Sequence, residues 1–310
     1  MTSSDFTTER DTLVAGGTSQ SGVAAPGWRL PAETRLGSVA LQVADLERSL
    51  AYYLDVIGLR LIERNGGDAS LGTYGAIEPL VRLRELPGAV PVPPSNRLGL
   101  YHFAILVPDR PALGRFVAHL VSDGVRFGAS DHLVSEALYL RDPDGLGIEV
   151  YVDRPRSEWR SVGGQLEMTT EPLDLNSLAK AADGAEWDGL PAGTRIGHVH
   201  LHVADLVRSS TFYHDGLGLD KTVWSYPGAL FLSAGGYHHH LGLNTWAAGA
   251  PPAREADARL LEWEILLPSD EDVRSVEASL AAEGFPSSAS GADGCVFHDP
   301  AGTPLRVRKG

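Results

Sequence analysis

Leu30–Leu61, LPAETRLGSVALQVADLERSLAYYLDVIGLRL, returns 160 residues later as Leu190–Lys221, LPAGTRIGHVHLHVADLVRSSTFYHDGLGLDK. Most positions match without a gap. In both copies an alternating apolar run precedes an aspartate, Asp45 or Asp205, that is suited to cap a helix, and a glycine, Gly58 or Gly218, follows the helical stretch. The copies differ where Ser38, Ala40 and Gln42 become His198, His200 and His202. Residues two apart on a strand share one face, so the second copy turns a strand face into imidazoles. The pattern predicts a duplicated scaffold with a single metal site.

Outward from this pair, the chain divides into four similar units. Unit one, about 35–87, predicts a strand over Leu36–Val43, a helix over Leu46–Ile57 with Leu46, Leu50, Tyr53 and Leu54 inward, and short strands at Leu59–Glu63, Leu71–Tyr74 and Leu80–Leu86. Unit two, about 97–153, predicts a strand over Leu98–Val107, a helix over Asp109–Asp123 and strands at Ala137–Leu140 and Gly147–Val152. Asp142-Pro143-Asp144-Gly145 forms the turn between the last two. Unit three, about 196–246, copies the first. Unit four, about 258–308, copies the second, with Asp299-Pro300-Ala301-Gly302 in place of the Asp142 turn.

A unit of strand, helix and three strands cannot cover both faces of its sheet. The fold expected is therefore α+β, with four βαβββ units paired into two half-open barrels. The halves read as a flexible tail (1–30), an N-terminal domain of units one and two (31–153), a linker (154–189) with a short helix around Leu173–Ala182, and a C-terminal domain of units three and four (190–310). Pro87–Ser95 is a proline-rich joint and Ala247–Asp257 a second one.

The net charge of −14 speaks against nucleic acid or an anionic membrane as partner. Cys295 is the only cysteine, so neither a disulfide framework nor a thiolate metal cluster is available. It reads as a small buried residue. No apolar stretch approaches a membrane span and the N-terminus lacks the order of a signal peptide, so a cytoplasmic protein is expected.

Aligning the units on their helix caps places candidate ligands. His102 lies seven residues before Asp109, His198 seven before Asp205, and Ser38 seven before Asp45. Matching Leu267-Pro268 to Val107-Pro108 puts Glu262 at the same place in unit four. Aligning on the Asp-Pro turns matches Glu149 with Arg306. Ligand-type residues thus gather in units two and three: His102, Glu149 and His198. Two neutral imidazoles and a carboxylate suit Fe(II) or Mn(II) oxygen chemistry, and zinc or nickel chemistry is also compatible. His200 and His202 are expected to line the cavity or support the ligands.

These features resemble the vicinal oxygen chelate superfamily, which includes glyoxalase I, fosfomycin-resistance enzymes, bleomycin-binding proteins and extradiol ring-cleaving dioxygenases. The segments GLYHFAIL (99–106), SDHLVSEALYLRDPDGLGIEVYVDRP (130–155) and GHVHLHV (197–203) look most like two-domain bacterial catechol 2,3-dioxygenases. The similarity spans about residues 30–310. It implies Fe(II), with Mn(II) as alternative, on His198, His102 and Glu149. It further implies a substrate-binding tyrosine at Tyr139, a histidine near it at His132, and an acid–base histidine within Tyr237-His238-His239-His240. Alternation puts His238 and His240 on one face and His239 on the other, and His240 is preferred, with His239 the alternative. His200, His238 and Tyr237 are expected against the substrate. In the best-known family members sequential units pair and the last two carry the ligands. Here unit four lacks them, so the site closes only if unit two pairs with unit three, within a chain or across subunits.

The implied reaction is insertion of O2 into a catechol-type ring, the ion acting as Lewis acid and a histidine moving the proton. A glyoxalase-like lyase or isomerase would want more carboxylates at the ligand positions, and a bleomycin-binding type would lack the triad. Exposed barrel edges point to a homo-oligomer.

Overall fold

A computed structural model describes residues 21–93, 96–182, 184–291 and 293–310. Two eight-stranded sheets dominate it. The first runs from unit one (Arg60–Asn65, Asp68–Gly72, Val81–Glu85, Arg35–Val43) into unit four (Arg259–Leu267, Pro304–Lys309, Gly294–His298, Ala289–Gly291). The second runs from unit three (Asp220–Val223, Ala229–Ser233, Leu241–Asn244, Arg195–His202) into unit two (Gly99–Leu106, Gly147–Asp153, Ser135–Arg141, Gly128–Asp131). At each centre two first strands meet antiparallel: Arg35 faces Leu266, and Arg195 faces Leu106. Each sheet therefore takes one unit from either half of the chain, and the stretch 154–189 separates duplicated sequence rather than the sheets. This is the four-unit βαβββ architecture of two half-open barrels, with unit two joined to unit three within one chain.

In units one to three the helix begins where its aspartate cap predicts, and in unit four it begins after Ser269. The side chains of Asp45, Asp109, Asp205 and Ser269 accept backbone N–H groups of the first turn. In units two and four the helices are regular, Arg110–Ser122 and Asp270–Ala282. In units one and three the α-helical turn is short (Leu46–Ala51, Leu206–Ser210) and widens into a π-helical turn, Tyr52–Val56 or Thr211–Gly216. Each widened turn carries a buried tyrosine whose hydroxyl donates to the Asp-Pro turn of the next unit. Tyr53 reaches Asp142 Oδ2 at 3.2 Å, and Tyr213 reaches Asp299 Oδ2 at 3.0 Å. These bonds tie the two sheets together across the sequence repeat. The Asp142 turn also takes Asp144 into the interior, where it accepts Ala44 N–H at 2.9 Å and pairs with Arg48.

One continuous core joins all four units through residues such as Val39, Phe103, Val199 and Trp263, each fully buried. The connector folds onto the second sheet. It contains the expected short helix, Leu175–Lys180, capped by Asp174, and a small hairpin, Ser161–Val162 with Gln165–Leu166. Glu171 exchanges two backbone hydrogen bonds of 2.9 Å with Asp131. Of the expected tail, residues 1–20 lie outside the described residues. Val23 bridges to Lys221, and Arg29 binds Asp220 at 2.5 Å, so chain from Val23 onward is held by unit three. No helix among the described residues is long and apolar enough to cross a membrane.

Candidate metal centre

Strand register builds the site in two lateral rows. His198 lies opposite Ala104, Ala104 beside Glu149, and Glu149 opposite Tyr139. In the next row Gly242 lies beside His200, and His200 opposite His102. Laterally paired residues share a sheet face, so imidazoles and carboxylate converge. Small residues leave them room. A Cβ on Gly242 would come within 2.8 Å of the His200 ring, and one on Gly147 within 3.0 Å of the His102 Cβ.

His102, Glu149 and His198 are all buried, with their ligating atoms within 4.8 Å of one another. Glu149 Oε2 sits 3.2 Å from His198 Nε2 and 3.0 Å from His102 Nε2. The second approach lies off the hydrogen-bonding direction, and His102 Nε2 is a buried nitrogen without a hydrogen-bond partner, as is His198 Nδ1. Buried polar atoms are normally satisfied. Two imidazoles aimed at one carboxylate, one of them with an unspent lone pair, form a donor set that fits a divalent cation of the Fe(II) or Mn(II) kind. Burial pushes the Glu149 carboxyl up, but the adjacent imidazoles outweigh it and hold the group well below the ordinary carboxylate range. Burial lowers His102, with Glu149 opposing. Both directions favour the deprotonated forms that a metal needs.

The triad opens into a cavity of about 230 Å³. On one side stand His132 and Tyr139. The Nδ1 of His132 lies 2.6 Å from the Thr169 carbonyl, which can only accept, so Nδ1 donates and Nε2 is left to accept from the Tyr139 hydroxyl at 2.6 Å. Burial, then the charge of Glu149, raise the Tyr139 phenol well above its usual value. His200 also lines the cavity, its Nε2 accepting from Asn244 Nδ2 at 2.9 Å. His202 does not line it and donates from Nδ1 to Asn244 Oδ1 at 2.7 Å. Asn244 thereby sets both tautomers.

The four residues Tyr237–His240 are divided by the structure. His239 lines the cavity, its ring 4.1 Å from that of His198. Burial and the neighbouring imidazoles of His198 and His238 lower it well below its ordinary value. His238 is fully buried behind it, with Nδ1 at 2.7 Å from His239 Nδ1 and Nε2 at 2.8 Å from Asp153 Oδ1. Tyr237 donates to the same Asp153 oxygen at 3.0 Å. His240, preferred from alternation, lies away from the triad cavity. It lines another hollow with Tyr237 and Arg195, accepts the Ala234 N–H at 3.2 Å, and is lowered to about 3 by burial and His238. The alternation argument treats 237–240 as strand. Gly235 and Gly236 have φ of 61° and 66°, and regular strand resumes only at Leu241.

Sequence reasoning did not single out Tyr101, Met168, Phe231 or Trp246, which also line the cavity, nor Asp153. Their positions depend on how the connector and the late loops pack, which no local pattern reports. Tyr226 also reaches the cavity, whereas Pro251 and Pro252 of the joint 247–257 pair with Leu98 at the start of unit two.

The equivalent place in the first sheet holds an ion-pair network. Arg306, matching Glu149, binds Glu262, matching His102, through two bonds of 2.8 and 2.9 Å. Ser38, matching His198, donates its N–H and its hydroxyl to Glu264, both at 3.0 Å. A guanidinium there supplies the positive charge that a metal would bring to the other sheet.

Comparison with known proteins agrees with this architecture. Residues 35–150 match the model of the Glyoxalase/Bleomycin resistance protein/Dioxygenase superfamily. The chain is 45% identical over 257 residues to a catechol-2,3-dioxygenase of Bacillus subtilis (strain 168), covering 82% of this chain and 90% of that one. It is 27% identical over 213 residues to a 2,2',3-trihydroxybiphenyl dioxygenase of Sphingomonas paucimobilis, covering 67% and 64%. Glyoxalase I from Zea mays shares the fold, with a TM-score of 0.54 at 18% identity over 89% of this chain and 92% of that one. On duplicated units, pairing of sheets and sequence identity together, the chain belongs to the Glyoxalase/Bleomycin resistance protein/Dioxygenase superfamily, within the family of the Bacillus subtilis catechol-2,3-dioxygenase.

Proposed function

We propose that this protein is an extradiol dioxygenase that cleaves a catechol-type ring with O2 at a ferrous ion held by His102, Glu149 and His198. The observation that carries the reading is the buried His–His–Glu cluster at the base of a ring-sized cavity, in a chain 45% identical to a catechol-2,3-dioxygenase. Such an ion, when bound, supplies Lewis acidity toward the substrate oxygens and the redox capacity to engage O2. Both oxygen atoms enter the product and the ring supplies the electrons, so no further reductant is required.

The protein's own groups bind, orient and move protons. Because Tyr139 donates toward His132 Nε2, its oxygen is free to accept a substrate hydroxyl and fix the ring's orientation. Asp153 orders the other side. Its carboxylate accepts from His238 Nε2, so His238 Nδ1 accepts from His239 Nδ1, which leaves His239 Nε2 as the nitrogen free to take a proton and return it. Burial keeps His239 neutral before substrate arrives, so its Nε2 lone pair is unoccupied. A single carboxylate in the cluster disfavours a glyoxalase-like lyase.

Anaerobic preparation, metal analysis, and absorbance after adding catechol and air test the reading; a yellow semialdehyde is expected. Glu149→Ala and His198→Ala should each lose iron retention. Full iron content in either variant would refute the ligand assignment.

A further inference from the structure

We propose that the cavity selects neutral catechols carrying an apolar or uncharged substituent and rejects those carrying a carboxylate; this rests on the catechol-dioxygenase reading above. Away from the triad, the walls are the rings of Tyr101, Tyr226, Phe231 and Trp246 together with the Met168 side chain. The rings meet edge to face, as Tyr101 with Trp246 at 5.6 Å and Tyr226 with Phe231 at 5.9 Å between centroids. Among the described residues, no lysine or arginine lines this cavity.

Nearby cations are turned elsewhere. Arg141 donates to the Gly145 carbonyl at 2.9 Å and, with Arg126, lines a neighbouring hollow that shares Tyr101, His102 and Tyr139 with the cavity. Arg154 is engaged by Asp131 and Glu136. Beyond the imidazoles of His132, His200 and His239 and the Tyr139 phenol, the polar groups on the wall are hydroxyls. Thr170 Oγ1 is already 3.1 Å from the Tyr226 hydroxyl, and Thr169 Oγ1 donates to Glu171 at 3.2 Å.

A hydroxyl can satisfy an amide but does not neutralise a charge, and a buried carboxylate without a cation is strongly disfavoured. The metal does not change this balance. The two positive charges of a bound ferrous ion are already matched by Glu149 and a catecholate oxygen, so a ring carboxylate would add an uncompensated negative charge to the cavity. At about 230 Å³ the cavity is smaller than the ~300 Å³ at which pockets for drug-sized ligands begin, so a substituent has no room to carry its own hydration shell. Trp246 stands at the mouth, half-exposed, with its ring 5.7 Å from that of His200. A substituent pointing away from the triad meets it.

The test separates charge from shape. The iron-loaded protein under nitrogen is titrated calorimetrically with 4-methylcatechol, 3,4-dihydroxybenzamide and 3,4-dihydroxybenzoate. The amide and the acid have nearly the same outline, and only the acid is charged. The acid should bind at least about 30-fold more weakly than the amide. A smaller difference, or no measurable binding of any of the three, overturns the proposal. Trp246→Arg should cut the difference to less than about 5-fold, since the new guanidinium pairs with the carboxylate. An unchanged difference in a variant with wild-type melting temperature overturns the assignment of this wall. If Trp246→Arg melts early, Met168→Arg places the charge on the same wall. Turnover in air is read separately: selective binding without ring cleavage would defeat the dioxygenase reading while upholding the preference for uncharged rings.

Discussion

Tyr139 illustrates how one residue's role depends on a neighbour it does not choose. Its hydroxyl is directed by His132, and His132 is directed by a carbonyl at Thr169 in the connector. Tyr139→Phe should keep its iron and lower kcat by about 100-fold, a typical contribution of a positioned hydrogen-bonding or proton-moving group; metal analysis beside steady-state rates checks both, and a wild-type rate would remove Tyr139 from the machinery. At this scale the clustering of His102, Glu149 and His198 was readable, because duplication supplied an internal control. Ser38 beside His198, and Arg306 beside Glu149, marked positions where one copy had changed its chemistry. The choice between His239 and His240 was not readable. It turns on two left-handed glycines that interrupt the alternation, and sequence shows that glycines are present without showing which way the chain leaves them.

The elements were mostly legible because each helix has a capping side chain and a regular apolar face. The widened turns at Tyr52–Val56 and Thr211–Gly216 were not, since a π turn adds one residue to a helical cycle without altering its composition. The strand Gly128–Asp131 also lacks a signal, being four small residues, none of them β-branched or aromatic, at a sheet edge. The widened turns matter for stability. Tyr213→Phe leaves a buried Asp299 oxygen without its 3.0 Å donor and should cost about 2 kcal/mol. Urea unfolding of the metal-loaded protein measures it, and a loss below about 0.5 kcal/mol would show that the tie between units is ornamental.

Across the whole molecule, the pairing of units one with four and two with three could be inferred only conditionally, from the need to close a metal site. Strand order itself depends on long-range packing that no window of sequence contains. The sheet without ligands offers a test of its own. Burial pushes the Glu264 carboxyl up, but Arg82, the Ser38 N–H and Arg308 outweigh burial and hold it below the ordinary range. A carboxyl lowered by folding stabilises the native state above its unfolded value of about 4.3, and that contribution is lost as pH falls through the lower native value. Glu264→Gln should therefore melt at lower temperature than the wild type at pH 7, by a free energy of about 1–3 kcal/mol, and lose less on acidification below about pH 4. Parallel melting curves for the two proteins across that range would show that Glu264 is not held by this network.

The order of strands also governs the order of assembly. Every strand of the sheet that holds the triad has been synthesised once Leu241–Asn244 leaves the ribosome, whereas the other sheet needs the later strand Pro304–Lys309. Arg35–Val43, made long before its partner, must wait with an unpaired edge until Arg259–Leu267 arrives to meet it. The half with the His–His–Glu cluster can thus close during translation, while the other half stays open until Pro304–Lys309 has been made. It is the early strand, and not the metal site, that would most need a chaperone's cover.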